Sequence, residues 1–201
     1  TLGVPHPGLR RDFTGELTAA LKRRGIRCIL YFMLQMERRA HRDHPEWMLN
    51  PDSSLPRAAP PAEGAPAQMC IASPYLEAYG IPQLVEIMKR YDVDGFFLDI
   101  FMHQFQGGKC YCPSCRAAFA REVGGEMPAS DDAPNAYAYR LLRNRQMEAA
   151  MARVQEALAA VKPGVSSIFN WSWMMRYPVT PPSYIDHLSW DPPVPDRKSV
   201  V

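Results

Sequence analysis

The chain has almost no net charge. Its 23 lysines and arginines stand against 21 aspartates and glutamates, leaving +2 over 201 residues. That near-balance lacks the electrostatic footprint of a nucleic-acid-binding domain or of a module held to anionic lipid. No apolar run in the sequence reaches the roughly 20 residues a membrane span requires. No internal repeat is visible, which argues against a solenoid or an array. No glycine-rich phosphate loop follows any apolar segment, which weakens a nucleotide-binding doubly wound sheet. The chain opens Thr1-Leu2-Gly3, without Met and without a signal-like stretch. It therefore reads as a fragment, and the missing leader says nothing about export. The last six residues, Asp196 to Val201, read as a non-native tail.

Hydrophobic residues make up 47% and charged residues 22%, ordinary proportions for one globular unit with a sizeable core. The five cysteines are odd in number, and three of them form the cluster Cys110-x-Cys112-x-x-Cys115. Clustered thiols of this kind favour a metal over a disulfide framework, and soft thiolate ligands favour zinc. Three thiols leave a tetrahedral ion one ligand short. Cys70 is the best candidate for the fourth, with His103 in reserve. A closed four-cysteine set would be structural rather than catalytic. Cys28 lies inside an apolar run and reads as core packing. The reduced, clustered thiols favour the cytoplasm, although the compartment stays open.

Residues 12–24 predict an amphipathic helix, capped by Asp12, with Phe13, Leu17 and Leu21 on its inner face and Gly25 as its stop. Residues 26–34 and 93–101 are apolar runs rich in β-formers and predict buried parallel strands. Between them, residues 35–68 read as a long polar excursion. Ser73-Pro74 predicts a helix start, Gly80 and Pro82 a kink, and the helix continues to about Tyr91. A short helix is expected over 116–123 and a long one over 135–161. Strands are expected over 165–170 and 184–190.

This alternation implies right-handed crossovers and a parallel sheet. Polar residues cluster where the strands end: Gln35 and Glu37, Asp99 and His103, Asn170, and Asp191. Convergence of strand-end polar groups is the pattern of barrel enzymes, although a whole (β/α)8 barrel needs about 250 residues. The expected fold is therefore α/β, a partial (β/α)8 TIM barrel occupying residues 1–195, with about half of the strands present.

Several motifs in order carry a resemblance: His6-Pro7-Gly8-Leu9, RGIRCILYF (24–32), HPEWMLNPD (44–52), CIASPY (70–75), YDVDGFFLDI (91–100) and CYCPSCRAAF (110–119). Together they resemble the glycoside-hydrolase-like barrels described as hypothetical glycosyl hydrolases. The cysteine loop, with its upstream Cys70-Ile71-Ala72-Ser73-Pro74-Tyr75 segment, is similar to the zinc loop of family-42 β-galactosidases. Those enzymes have an acid/base Glu where this strand has Asp99, which argues against transferring their activity. The strand ending in Asp99 looks like the fourth strand of family-29 α-L-fucosidases, where the Asp is the nucleophile. By that likeness the strands here are roughly numbers three to six.

The resemblance implies an O-glycosidase with Asp99 as nucleophile and a second carboxylate at another strand end, for which Asp191 is the candidate. Glu37 is a weaker alternative. Asp94 reads as a turn or solvent residue. Tyr31, His103, Asn170 and Trp190 are candidate substrate contacts, with a carbohydrate as the partner and neither nucleic acid nor membrane expected. A homo-oligomer is compatible with this reading. Two alternatives remain open: a barrel that binds carbohydrate without cleaving it, and a zinc-stapled scaffold. The fragment alone is expected to be inactive, because half a barrel leaves strand edges unpaired.

Overall fold

The structure is a computed structural model that describes residues 8–56, 58–62, 67–99, 109–170 and, as backbone, 187–189. The chain is α/β. Helix α1 (Phe13–Lys22) leads into strand β1 (Ile29–Met33), followed by the short helix α2 (Arg38–Asp43) and a single 3-10 turn (Pro45–Trp47). A π-turn (Leu76–Gly80) runs into α3 (Ile81–Arg90), then β2 (Gly95–Asp99), α4 (Pro113–Glu122), α5 (Ala136–Val161), β3 (Ser166–Asn170) and β4 (His187–Ser189). The strands form one parallel sheet in chain order, β1-β2-β3-β4. Sequential parallel neighbours joined by helices are what the alternating pattern requires.

The sheet has two unlike faces. Leu30 and Phe32 of β1, Phe96 and Leu98 of β2, and Phe169 of β3 point toward α3 and α5. There they meet Leu84 and Ile87 of α3 and Met147, Met151, Val154 and Leu158 of α5. The opposite face carries Ile29, Tyr31 and Met33, in register with Gly95, Phe97 and Asp99. Ile29, Tyr31 and Met33 are exposed, with Tyr31 at 59%.

Backbone chemistry places the element ends. Asp12 caps α1, accepting from the Gly15 amide at 3.0 Å. Pro113 opens α4 at a position where its missing N–H costs nothing. The kink expected near Gly80 and Pro82 is the π-turn, after which Pro82 sits in the first turn of α3. The described residues between 35 and 68 hold more regular structure than the sequence suggests. Glu37 caps α2 by accepting from the Arg39 amide at 2.9 Å, and isolated bridges join Met36 to Gln68 and Met48 to Met69. A six-residue helix and a single turn are too short for apolar periodicity to reveal. The fourth helix begins at Pro113 rather than near residue 116.

The expected inner face of α1 is also corrected. Phe13 is 59% and Leu17 41% exposed, and only Leu21 leans on the core. The buried residue of α1 is Thr18, whose hydroxyl donates to the Thr14 carbonyl at 2.8 Å and lies beside the Cys28 sulfur. That back-bond satisfies the hydroxyl, so a polar residue can take the inward position. Cys28 is buried in the main core.

Candidate active site and cysteine centre

At the carboxyl end of the sheet, three residues from three adjacent strands converge. The Asn170 side-chain amide, on β3, donates to Asp99 Oδ1 at 2.8 Å. The Tyr31 hydroxyl, on β1, donates to Asp99 Oδ2 in a short hydrogen bond. Strand periodicity explains the meeting. Met33 pairs with Asp99, so Tyr31 lies two residues back on the same face and its ring reaches forward beside Phe97. Leu98 pairs with Phe169, which brings Asn170 level with Asp99 on the far side. Asp99 thus sits on the middle strand with both oxygens held by donors, one from each neighbour. Partnering of this kind is what makes a half-buried carboxylate tolerable in an apolar strand.

Tyr31 and Asn170, read from the sequence as substrate contacts, are therefore brought onto Asp99 itself. The other candidates of this region, His103, Trp190 and Asp191, lie outside the described residues. Glu37 is spent structurally. Besides capping α2, it accepts from Gln83 at 3.3 Å. Gln35 is fully buried and donates to the Met69 carbonyl at 2.8 Å, tying the end of β1 to the cysteine-bearing segment.

Asp94 is a correction. It is not a solvent residue but a clamp at the amino end of the sheet. It accepts from the Cys28 amide at 2.8 Å and from Lys22 at 2.6 Å, with Lys162 at 3.6 Å. Burial raises its pKa, but Lys22, the Cys28 amide and Lys162 outweigh burial and hold it below the usual carboxylate range.

The second site is the cysteine centre. Cys70, Cys110, Cys112 and Cys115 are all buried, and their sulfurs lie within 4.8 Å of one another. No disulfide joins them. A tetrahedral ion at a zinc–sulfur distance of about 2.3 Å sets sulfur–sulfur edges of about 3.8 Å. The Cys70 and Cys115 sulfurs stand 3.5 Å apart, so the set has the right span for one ion.

Each ligand position has a local cause. Cys70 is fixed by its amide on the Trp47 carbonyl at 2.8 Å and by its carbonyl, which accepts from the Ser73 hydroxyl at 2.6 Å. Cys112 is the N-cap of α4 and Cys115 lies in its first turn, where the helix dipole favours negative sulfur. The Asn50 amide donates to the Cys110 sulfur at 3.4 Å. Tyr139, on α5, holds both backbone groups of Cys110, accepting from its N–H and donating to its carbonyl, each at 2.8 Å.

The thiols do not behave alike. Hydrogen bonds from Cys110, Cys112 and Cys115 hold Cys70 well below the ordinary thiol range, and Cys110 is lowered by Cys112 and Cys115. Cys112 and Cys115 are pushed up, chiefly by Cys110. Four sulfurs this close cannot all carry charge unless a cation sits among them. The donor set, its burial and its span fit a soft metal ion, and these four residues are the ones that would hold it.

Sequence reasoning missed two residues here, Tyr139 as a loop anchor and Arg143. Arg143 is 4% exposed and donates to the Cys115 sulfur at 2.9 Å. A signal for it exists in the sequence. The buried stripe of α5 runs through Tyr139, Leu142, Met147, Met151, Val154 and Leu158, and Arg143 falls within it. A charge on a core stripe needs a partner.

Residues 2–100 match the family model described as Hypothetical glycosyl hydrolase 6. No curated protein matches the chain in sequence. Among solved structures, the chain is similar to α-L-fucosidase isoenzyme 2 from Paenibacillus thiaminolyticus, with TM-score 0.68 and 24% identity over 84% of this chain and 24% of that one. It is also similar to the cold-adapted β-galactosidase of Rahnella sp. R3, with TM-score 0.62 and 17% identity over 94% of this chain and 32% of that one. A β-galactosidase from Bacillus circulans sp. alkalophilus gives TM-score 0.61 and 15% identity over 95% and 34%. At these identities the likeness is one of fold. The chain spans about a quarter to a third of the length of these proteins.

Proposed function

We propose that this chain is a segment of a glycoside-hydrolase (β/α)8 barrel, roughly strands three to six, and that Asp99 is its catalytic nucleophile. The observation that carries the reading is the carboxylate on the middle strand, held by one donor from each flanking strand at the carboxyl end of a parallel sheet. Barrel enzymes assemble their chemistry at that end. The fold likeness to a fucosidase and to β-galactosidases supports a carbohydrate substrate. The open sheet face supports the barrel. Parallel sheets are normally covered on both faces, whereas among the described residues only the α3/α5 face is covered. In a closed barrel, Ile29, Tyr31, Met33 and Phe97 would fill the interior.

The donors argue for one role over the other. A general acid must present a proton to the leaving oxygen, whereas Tyr31 and Asn170 both present hydrogens to Asp99. A carboxylate oriented by two donors is suited to accept and to attack. In the proposed first step an Asp99 oxygen bonds to the anomeric carbon as the bond to the leaving oxygen breaks. A second carboxylic acid, for which Asp191 is the candidate, protonates that oxygen. Water deprotonated by the same group then displaces Asp99. In a retaining enzyme the two carboxyl groups would lie about 5–5.5 Å apart.

We assign Cys70, Cys110, Cys112 and Cys115 to a structural zinc ion. Bound there with four thiolates, zinc would supply no open coordination position and would act as a cross-link between the segment after residue 67 and the loop that follows β2.

The experiment is turnover of chromogenic glycosides by the protein with its full barrel, comparing wild type, Asp99→Asn and Asp99→Gly. Loss of turnover in both variants is expected, with azide restoring Asp99→Gly and yielding a glycosyl azide of inverted configuration. Unchanged turnover in Asp99→Asn would remove Asp99 from the mechanism.

A further inference from the structure

Arg143 sits in the interior with its charge and little to balance it. Its Nη1 reaches the Cys115 sulfur at 2.9 Å, while Nε and Nη2 meet no hydrogen-bond acceptor among the described residues. Among the described residues, the groups acting on its charge are Cys115, Tyr139, Cys70 and Cys110, with no carboxylate among them. Its carbon Cζ lies 5.9 Å from the centre of the Tyr139 ring, a weak cationic contact. A guanidinium removed from water without an anion is strongly unfavourable. Neutral thiols offer it nothing of the required strength, whereas thiolates do.

We infer that Arg143 is the fixed counter-cation of the four-cysteine metal centre, placed there to stabilise the dianion that four thiolates make around a divalent ion. This rests on the reading that the cysteines bind a metal. A divalent ion with four thiolates carries two negative charges, and burying that dianion is costly. Arg143 halves the net charge. It does so from α5, one helical turn after Tyr139, which holds the Cys110 backbone. The two residues together bind the cysteine loop to the longest helix of the chain.

The inference makes an unusual demand on stability. Without metal, Arg143 is a buried charge with one hydrogen bond, to the Cys115 sulfur, so Arg143→Met should leave the metal-free protein as stable as wild type or more so. With metal, the same substitution should destabilise the protein. A residue that merely packs would lower both.

The test measures zinc affinity by chelator competition, and thermal midpoints with and without zinc, for wild type, Arg143→Met and Arg143→Lys. Substitution by cobalt(II) reports the ligand set through its sulfur-to-metal charge-transfer bands. Arg143→Met should bind zinc about 10–100-fold more weakly, the usual scale for losing a partner of a metal ligand. Its cobalt bands should still be those of four thiolates. Arg143→Lys keeps the charge and should recover most of the affinity. Wild type that takes up neither ion would overturn the metal reading itself. Wild type that binds zinc, with Arg143→Met binding equally well, would overturn the role of Arg143 and leave the metal reading standing. Equal losses in Arg143→Lys and Arg143→Met would also overturn it, because charge would then not be what matters.

Discussion

Gly95, the first residue of β2, leaves no room for a side chain. A Cβ placed there would lie 2.3 Å from the Ser166 carbonyl oxygen, 2.9 Å from the Ser166 Cβ and 3.0 Å from Ile29 Cδ1. The first contact is with backbone, which cannot rotate away. Relief to an ordinary carbon–oxygen separation requires β2 and β3 to part by about 1 Å, against a normal strand spacing of about 4.8 Å. That displacement strains the hydrogen bond from the Ser166 amide to the Asp94 carbonyl, 3.0 Å long, and the ladder bonds beyond it. Overpacking costs about 1–3 kcal/mol, and each weakened ladder bond adds up to about 1 kcal/mol. Gly95→Ala should therefore cost about 3–5 kcal/mol and lower the thermal midpoint by about 10 °C. The comparison is Gly124→Ala, where the φ of +80° strains the backbone in otherwise open space and the cost should be nearer 1 kcal/mol. Urea unfolding followed by circular dichroism measures both. If Gly95→Ala proved as mild as Gly124→Ala, the register between β2 and β3 would be wrong. The placement of Asn170 against Asp99 would fall with it.

Tyr31→Phe and Asn170→Ala each remove one donor from Asp99, and a hydrogen bond to a charged group is worth about 1.5–3 kcal/mol. Each should lower kcat by about 10–100-fold in the protein with its full barrel, with a smaller change in KM. A change confined to KM would return these residues to simple substrate contact. The Asp94 clamp gives a pH dependence of known sign. Its folded pKa is depressed, so its contribution is present above the unfolded value of about 3.9 and is lost as pH falls through the lower folded value. Asp94→Asn should therefore lower stability at pH 7 and flatten its decline below about pH 4; an acid limb as steep as wild type would remove Asp94 from that decline.

What could be read from the sequence follows from which forces act locally. Apolar runs of β-formers announced β1 and β2, although β1 buries only its Leu30 and Phe32 face and leaves Ile29, Tyr31 and Met33 exposed. The long periodic segment announced α5 almost to the residue, from Ala136 to Val161. The short helix α2 could not be seen, because its existence depends on Glu37 and on bridges to Gln68 and Met69, made by residues some thirty positions away. The inner face of α1 was misjudged because hydrophobicity assigned it to Phe13 and Leu17, whereas the buried position belongs to Thr18, satisfied by its own helix. The thiol spacing indicated a metal centre but could not supply Arg143, whose partner lies 28 residues back along the chain. Likewise, Tyr31 and Asn170 were legible as candidate substrate contacts, but their meeting on one carboxylate depends on strand register, which three separated segments cannot reveal singly.

The two sites rest on different supports, and this fixes what each can do for the other. Asp99 is held by the strand ladder and by side chains of β1 and β3, over the main core. The cysteine centre belongs to a separate small cluster, with Leu49 buried among the thiols and Ala72 and Met127 packed against them. Ten residues separate Asp99 from Cys110, and the carboxylate's own partners come from β1 and β3. An ion held in the cysteine centre would cross-link Cys70 to Cys110, whose backbone Tyr139 holds, while Gln35 ties the Cys70 segment to the end of β1. On the proposed reading, the cysteine centre acts through the segments it joins, and the strands position the attacking oxygen of Asp99. Damage to the first should appear in substrate binding and stability; damage to the second should appear in the rate of the bond-breaking step.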